Sequence, residues 1–286
     1  MGSSRINNNH PGNKMIKTIL VSAAAICLAA CGGGGGDSQP TAKALTISMY
    51  GKPIVSATAP VSHAQVAVVA KAASDPSTAD TQATVQSLQA ALAARGVTAD
   101  IAPQVMDATA LHEIVTTQYN GAPPNPDQFQ SDPSEWMIVN FQLDDMVTSW
   151  NDPSQQAAVA QFSQDLLVFS QWAAVAGKAV FVVMPIITCD TFNSAALGLS
   201  TAITNAAGNG APIRTISETA FQVGFDPDGT AVALPGQDLS HLGADCRTPD
   251  AYLQNLVVDA TADTIALAYQ QPSTASPASG ASASGT

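Results

Sequence analysis

Met137-Ile138-Val139-Asn140-Phe141-Gln142-Leu143, a helical run from Asp152-Pro153 to Gly177, and Ala179-Val180-Phe181-Val182-Val183-Met184-Pro185 together decide the fold. The two outer pieces are short apolar runs, and the second is apolar throughout, as expected of a strand buried on both faces. Between them Asp152-Pro153 is a helix opening, because proline is tolerated in the first turn. Phe162, Leu166, Phe169 and Trp172 then fall along one stripe of that helix, and Gly177 ends it. A strand, a long helix and a second strand make a crossover unit, which places the two strands parallel in one sheet.

The alternation continues on both sides of this unit. Leu45 to Met49 is a short β-type run broken by Gly51. Thr81 to Arg95 carries Val85, Leu88 and Leu92 at helical spacing and stops at Gly96. Val97 to Ile101 reads as a second strand, with a helix from about Ala108 to Gln118 after it. Asn120 to Pro133, rich in Pro, Asn and Asp, reads as loop. A helix over Ala195 to Ala207, a weak fifth strand over Ile213 to Ile216 and a closing helix over Asp250 to Tyr269 complete the pattern. The expectation is one three-layer α/β/α domain over residues 44–271 with a central parallel sheet, its function gathered at the carboxyl ends of the strands.

The two ends of the chain are of another kind. Lys14 and Lys17 precede an apolar run from Ile19 to Ala30, too short to span a bilayer comfortably, which reads as a signal peptide over residues 1–30. It closes on Leu28-Ala29-Ala30-Cys31, which resembles a bacterial lipobox and implies acylation of Cys31 after cleavage. Gly32 after the cysteine favours the outer membrane over inner-membrane retention. Residues 31–43 are a Gly-rich tether, and 272–286 form a tail of low complexity, expected to be disordered. The full chain carries a formal charge of −12; residues 1–30 hold Arg5, Lys14 and Lys17 and no acid, so the remainder carries −15. Such acidity disfavours nucleic acid and anionic lipid as partners, leaving the bilayer to be reached through acyl chains on Cys31.

Four segments, taken in order, resemble the SGNH or GDSL-type hydrolases, a family of flavodoxin-like three-layer folds. Tyr50-Gly51-Lys52-Pro53-Ile54 stands where that family reads Tyr-Gly-Asp-Ser-Thr. Val105-Met106-Asp107-Ala108-Thr109 stands at the family's oxyanion glycine. Asn140-Phe141-Gln142-Leu143-Asp144-Asp145 is similar to Asn-Phe-Gly-Leu-Asn-Asp, and Asp238-Leu239-Ser240-His241 matches the family's Asp-x-x-His pair. The resemblance implies a serine hydrolase site, with Asp238 and His241 as orienting acid and base. The departures fall on the chemistry. Pro53 replaces the nucleophile and has no hydroxyl. Asp107 and Asp144 replace donors, and an ionised carboxylate only accepts hydrogen bonds.

The resemblance therefore implies a degenerate site of Lys52, Pro53, Asp107, Asp144 and Asp145 around a vestigial Asp238–His241 dyad, with Lys52 paired to one of the acids on an acidic rim. A non-catalytic binding or structural role follows, with an envelope glycan or a protein as partner. The alternative is an active esterase with a relocated nucleophile, for which Ser48 and Ser56 are the nearest hydroxyls. No metal site and no cofactor is assigned. Asp226-Pro227-Asp228-Gly229-Thr230 begins like a calcium loop but lacks its later ligands and reads as a turn. With Cys27 in the signal peptide and Cys31 acylated, Cys189 and Cys246 remain; in an oxidising compartment they read as a disulfide, the other reading being two free thiols. The resembled fold puts both on the catalytic rim.

Overall fold

A computed structural model of the chain describes residues 43–57, 76–117, 129–143, 152–189, 195–216, 219, 221–227 and 230–271. The segments read as signal peptide and tail, Cys31, and Asp144 and Asp145 lie outside the described residues.

Five parallel strands form the central sheet: β1 (Leu45–Gly51), β2 (Ala99–Pro103), β3 (Trp136–Asn140), β4 (Ala179–Val182) and β5 (Ile213–Thr215). Their order is β2-β1-β3-β4-β5, the flavodoxin-like arrangement. Alternation along each strand divides the core in two. Tyr50, Met137, Val139, Val180 and Val182 pack against α2 (Leu111–Thr117), α3 (Pro153–Val175) and α4 (Ala195–Gly208). Ile47, Met49, Ile138 and Phe181 face the other way, against α1 (Pro76–Ala94) and α5 (Ala251–Gln270). The expected three layers are present. Phe169 and Trp172 of the α3 stripe and Phe181 of β4 are fully buried, each such side chain contributing roughly 1.5–3 kcal/mol by leaving water.

Several boundaries differ from expectation for local reasons. α3 starts where the sequence indicates, with Asp152 as cap accepting from the Ser154 N–H at 2.8 Å. α2 begins later than expected, because the Asp107 carboxylate accepts from the Thr109 N–H (2.9 Å) and holds that stretch as a turn. β3 stops at Asn140, whose carbonyl accepts the last rung of its pairing with β1 from the Lys52 N–H. A short antiparallel hairpin, β6 (Val223–Phe225) with β7 (Ala231–Ala233), was not legible. Its three-residue strands carry too little pattern to register, although the turn at Asp226 was.

Residues 129–133, the end of the stretch read as loop before β3, reach into the core. Phe129 packs edge-on against Phe169 (5.1 Å between centroids) and Tyr50 (6.3 Å). Asp132 is buried, accepting from Ser48 Oγ at 2.6 Å and Tyr50 Oη at 3.1 Å. Lys178 Nζ, also buried, donates to the carbonyls of Asp132 and Ser134, both at 2.6 Å. Burial pushes the Asp132 carboxyl up, but the bonds from Ser48 and the Ser134 N–H and the Lys178 charge outweigh it, so its pKa lies below the ordinary carboxylate value. Burial, then the Asp132 charge, pushes the Tyr50 phenol far above its ordinary range.

Candidate functional site

In a sheet of this order the direction of chain travel reverses between β1 and β3, leaving a crevice at their carboxyl ends. The turn after β1 fills one side of it. Gly51 has φ +89°, and a Cβ there would stand 2.5 Å from the Asn140 carbonyl carbon and oxygen, so glycine is required on both counts. Lys52 is then locked to the end of β3. Its N–H donates to the Asn140 carbonyl (2.8 Å), and Asn140 Nδ2 donates to the Lys52 carbonyl (2.7 Å). Gln142 Nε2 donates to Asn140 Oδ1 (2.9 Å) and fixes the amide's orientation. The loop after β2 is tied in through the Gln142 N–H to the Ala108 carbonyl at 2.8 Å.

These loops enclose a cleft of about 590 Å³, with Lys52 and Pro53 on one side and Thr109, Asn140 and Gln142 beside them. Val183 to Ile186 after β4, the first turn of α4 and Val257 of α5 give it apolar walls, and Arg247 adds a second cation. None of the described lining residues is Asp or Glu. The expected acidic rim is therefore corrected as far as the described residues reach. Asp107 is exposed and spent on the N–H and hydroxyl of Thr109, and it does not line the cleft. No ion pair of Lys52 is present among the described residues, and the expected pairing with Asp144 or Asp145 lies outside them.

His241 sits on a 3-10 turn, Leu239–Leu242, but not with the acid expected of it. The Asp238 carboxylate caps that turn, accepting from the Ser240 N–H at 2.9 Å. That bond, followed by the Ser240 hydroxyl and the nearby imidazole, holds the Asp238 carboxyl below its ordinary range. The ring's Nδ1 instead donates to Asp250 Oδ2 at 2.8 Å. Asp250 also caps α5 through Oδ1, accepting from the Leu253 N–H at 3.1 Å, so one carboxylate serves two donors. Tyr252, half exposed, stacks on the imidazole at 4.4 Å between centroids. Sequence reading missed Asp250 because a three-residue spacing pointed to Asp238. The signal lay in Asp250's place as helix cap beside the histidine loop.

The two serines weighed as relocated nucleophiles are engaged elsewhere. Ser48 is fully buried and donates to Asp132. Ser56 Oγ lies 3.3 Å from Asp80, and its N–H donates to Gln254 Oε1 at 2.8 Å.

Cys189 and Cys246 form a disulfide, with 5.2 Å between their Cα atoms and a sequence separation of 57. Closing a loop of that length stabilises by about 4 kcal/mol in the chain-entropy account. With Phe221, Leu242 and Leu253 the bridge forms a small core of its own beneath the His241 turn and the hairpin. It ties the segment carrying His241, Arg247 and Asp250 to the segment that leaves β4.

No family model matches the chain, and no curated protein matches it. Among solved structures it is similar to a crystal structure of TesA, with a TM-score of 0.46 and 14% identity, over 77% of this chain and 97% of that one. The fold class is read from the sheet order and the two packed faces.

Proposed function

We propose that this chain is a non-catalytic binding domain of the bacterial cell envelope, an SGNH-like scaffold whose cleft retains ligands without cleaving them. The observation that carries the reading is the turn at the cleft: Lys52 and Pro53 stand where a nucleophile would, and neither has a hydroxyl. The engagement of Ser48 with Asp132 and of Ser56 with Asp80 supports it, because a relocated nucleophile would have to give up those partners. The pairing of His241 Nδ1 with Asp250 is one that could orient a base, so the reading rests on the missing nucleophile and not on the imidazole. The lipobox-like Leu28 to Cys31 supports attachment to the outer membrane through acylated Cys31, with an envelope glycan or a protein as further partner. Turnover of a panel of short-chain nitrophenyl esters tests the catalytic half. The expected rate is that of buffer, and a rate abolished by His241→Ala would overturn the reading. Intact mass of the membrane-extracted protein tests the other half, an unacylated Cys31 excluding lipid attachment.

A further inference from the structure

We propose that the Cys189–Cys246 disulfide is a redox-sensitive clasp on the cleft, joining two of its walls when oxidised and releasing one of them when reduced. This concerns regulation of the site described above and rests on its being a binding site. Both half-cystines stand next to lining residues: Thr188 precedes Cys189, and Arg247 follows Cys246. The bridge therefore ties the segment leaving β4 to the turn between His241 and Asp250, and each contributes a wall.

That turn is built as a unit. The Asp245 carboxylate accepts from the N–H groups of Arg247 and Thr248 (3.0 and 3.1 Å) and from the Thr248 hydroxyl (2.7 Å). At its ends the Thr248 N–H donates to the Leu242 carbonyl and the Asp250 N–H to the His241 carbonyl, both at 2.8 Å. Toward the β4 segment, the Cys189 N–H donates to the Cys246 carbonyl at 3.2 Å, beside the disulfide. With the sulfur–sulfur bond cut, the turn can move while keeping its internal bonds.

Cys246 supplies the drive. Its φ is +56°, in the left-handed region where a side chain crowds the backbone and glycine is the usual occupant. The crosslink holds it there. A reduced cysteine relaxes by leaving that conformation, and Arg247 and Pro249, both lining residues, move with it. Access is one-sided, because Cys189 is buried and Cys246 half-buried. A dithiol reductant attacks the Cys246 sulfur as a thiolate and forms a mixed disulfide, and Cys189 departs as a thiolate that takes up a proton. The reductant's second thiol then displaces Cys246, leaving two cysteine thiols and the reductant oxidised to its own disulfide.

Hydrogen exchange on the whole chain, oxidised and after dithiothreitol, tests this by peptide mass. Exchange over residues 243–250 is expected to rise about tenfold or more on reduction, to change less than about twofold in β1 and β3, and to recover on reoxidation. Cys189→Ala/Cys246→Ala should match the reduced chain. Cys189→Ala/Cys246→Gly should exchange about fivefold more slowly than that variant, since glycine accepts the positive φ. Unchanged exchange over 243–250 would overturn the proposal. So would equal loss of protection in the sheet, which would make the bridge a staple of the whole fold. Equal exchange in the two double variants would remove the drive assigned to Cys246 and overturn the release it explains. The two readings fail separately: ester turnover overturns the non-catalytic reading and leaves the clasp standing, whereas unchanged exchange overturns only the clasp.

Discussion

Strand β1 contributes to two polar regions of opposite character. Toward the amino ends of β3 and β4, Ser48 and Tyr50 join Asp132 and Lys178 in a buried network where hydroxyls, carboxylate and ammonium find partners within the fold. At its carboxyl end the same strand runs into Lys52 and Pro53 beside an open cleft, with the Lys52 ammonium facing no acid among the described residues. Polar groups sealed in low dielectric must be satisfied internally or they cost heavily. Groups at the rim can wait for solvent or ligand. The network is thus part of what holds the fold, and the cleft part of what the fold presents.

Substitutions should separate the two regions, and the largest effect belongs to the network. Asp132→Ala removes the acceptor of Ser48 and Tyr50 and leaves the buried Lys178 charge with backbone carbonyls but no counter-ion, costing roughly 3–5 kcal/mol in denaturant unfolding. A loss below about 1 kcal/mol would mean the network is no more than decoration. Replacing Cys189 and Cys246 together by serine should cost about 3–4 kcal/mol, loosening the Asp250 side of the cleft rather than the sheet. Partial proteolysis would locate the loosening. Gly51→Ala forces a Cβ against Asn140 at a positive φ and should cost about 2 kcal/mol, moving Lys52 as well.

Titration probes the network without substitution. Asp132 has a lowered pKa in the fold, so its contribution is complete above the ordinary carboxylate range and is lost as pH falls through its folded-state pKa. Tyr50 has a raised pKa, so its contribution is complete below the ordinary phenol range and falls away as pH rises beyond it. Unfolding curves in Asp132→Asn should lose the acid-side dependence and keep most of the alkaline one. The smallest effect belongs to the rim: Lys52→Met should change stability by less than about 0.5 kcal/mol, visible in ligand binding alone.

The parts of this division that the sequence carried were those written in apolar periodicity. β1, β3, β4 and the α3 stripe were legible because uniform apolar runs and helical spacing each have one economical solution in a layered fold. The network was not, because Asp132 lies in a Pro-, Asn- and Asp-rich stretch whose composition reads as solvent loop whether or not it folds inward. Asp107 and Asp238 were misjudged as rim acids for a related reason. Each bonds to an N–H two residues on, a local event that residue counting cannot distinguish from convergence on a site. The reading of Pro53 as standing at a nucleophile's position needs only identity and position along the chain, and it remains a proposal.

The most direct test of the whole account is covalent labelling of the intact chain by a fluorophosphonate serine probe, read by intact mass. The account predicts an unmodified protein after prolonged exposure. One adduct per chain, absent from His241→Ala, would show a nucleophile at work and contradict it.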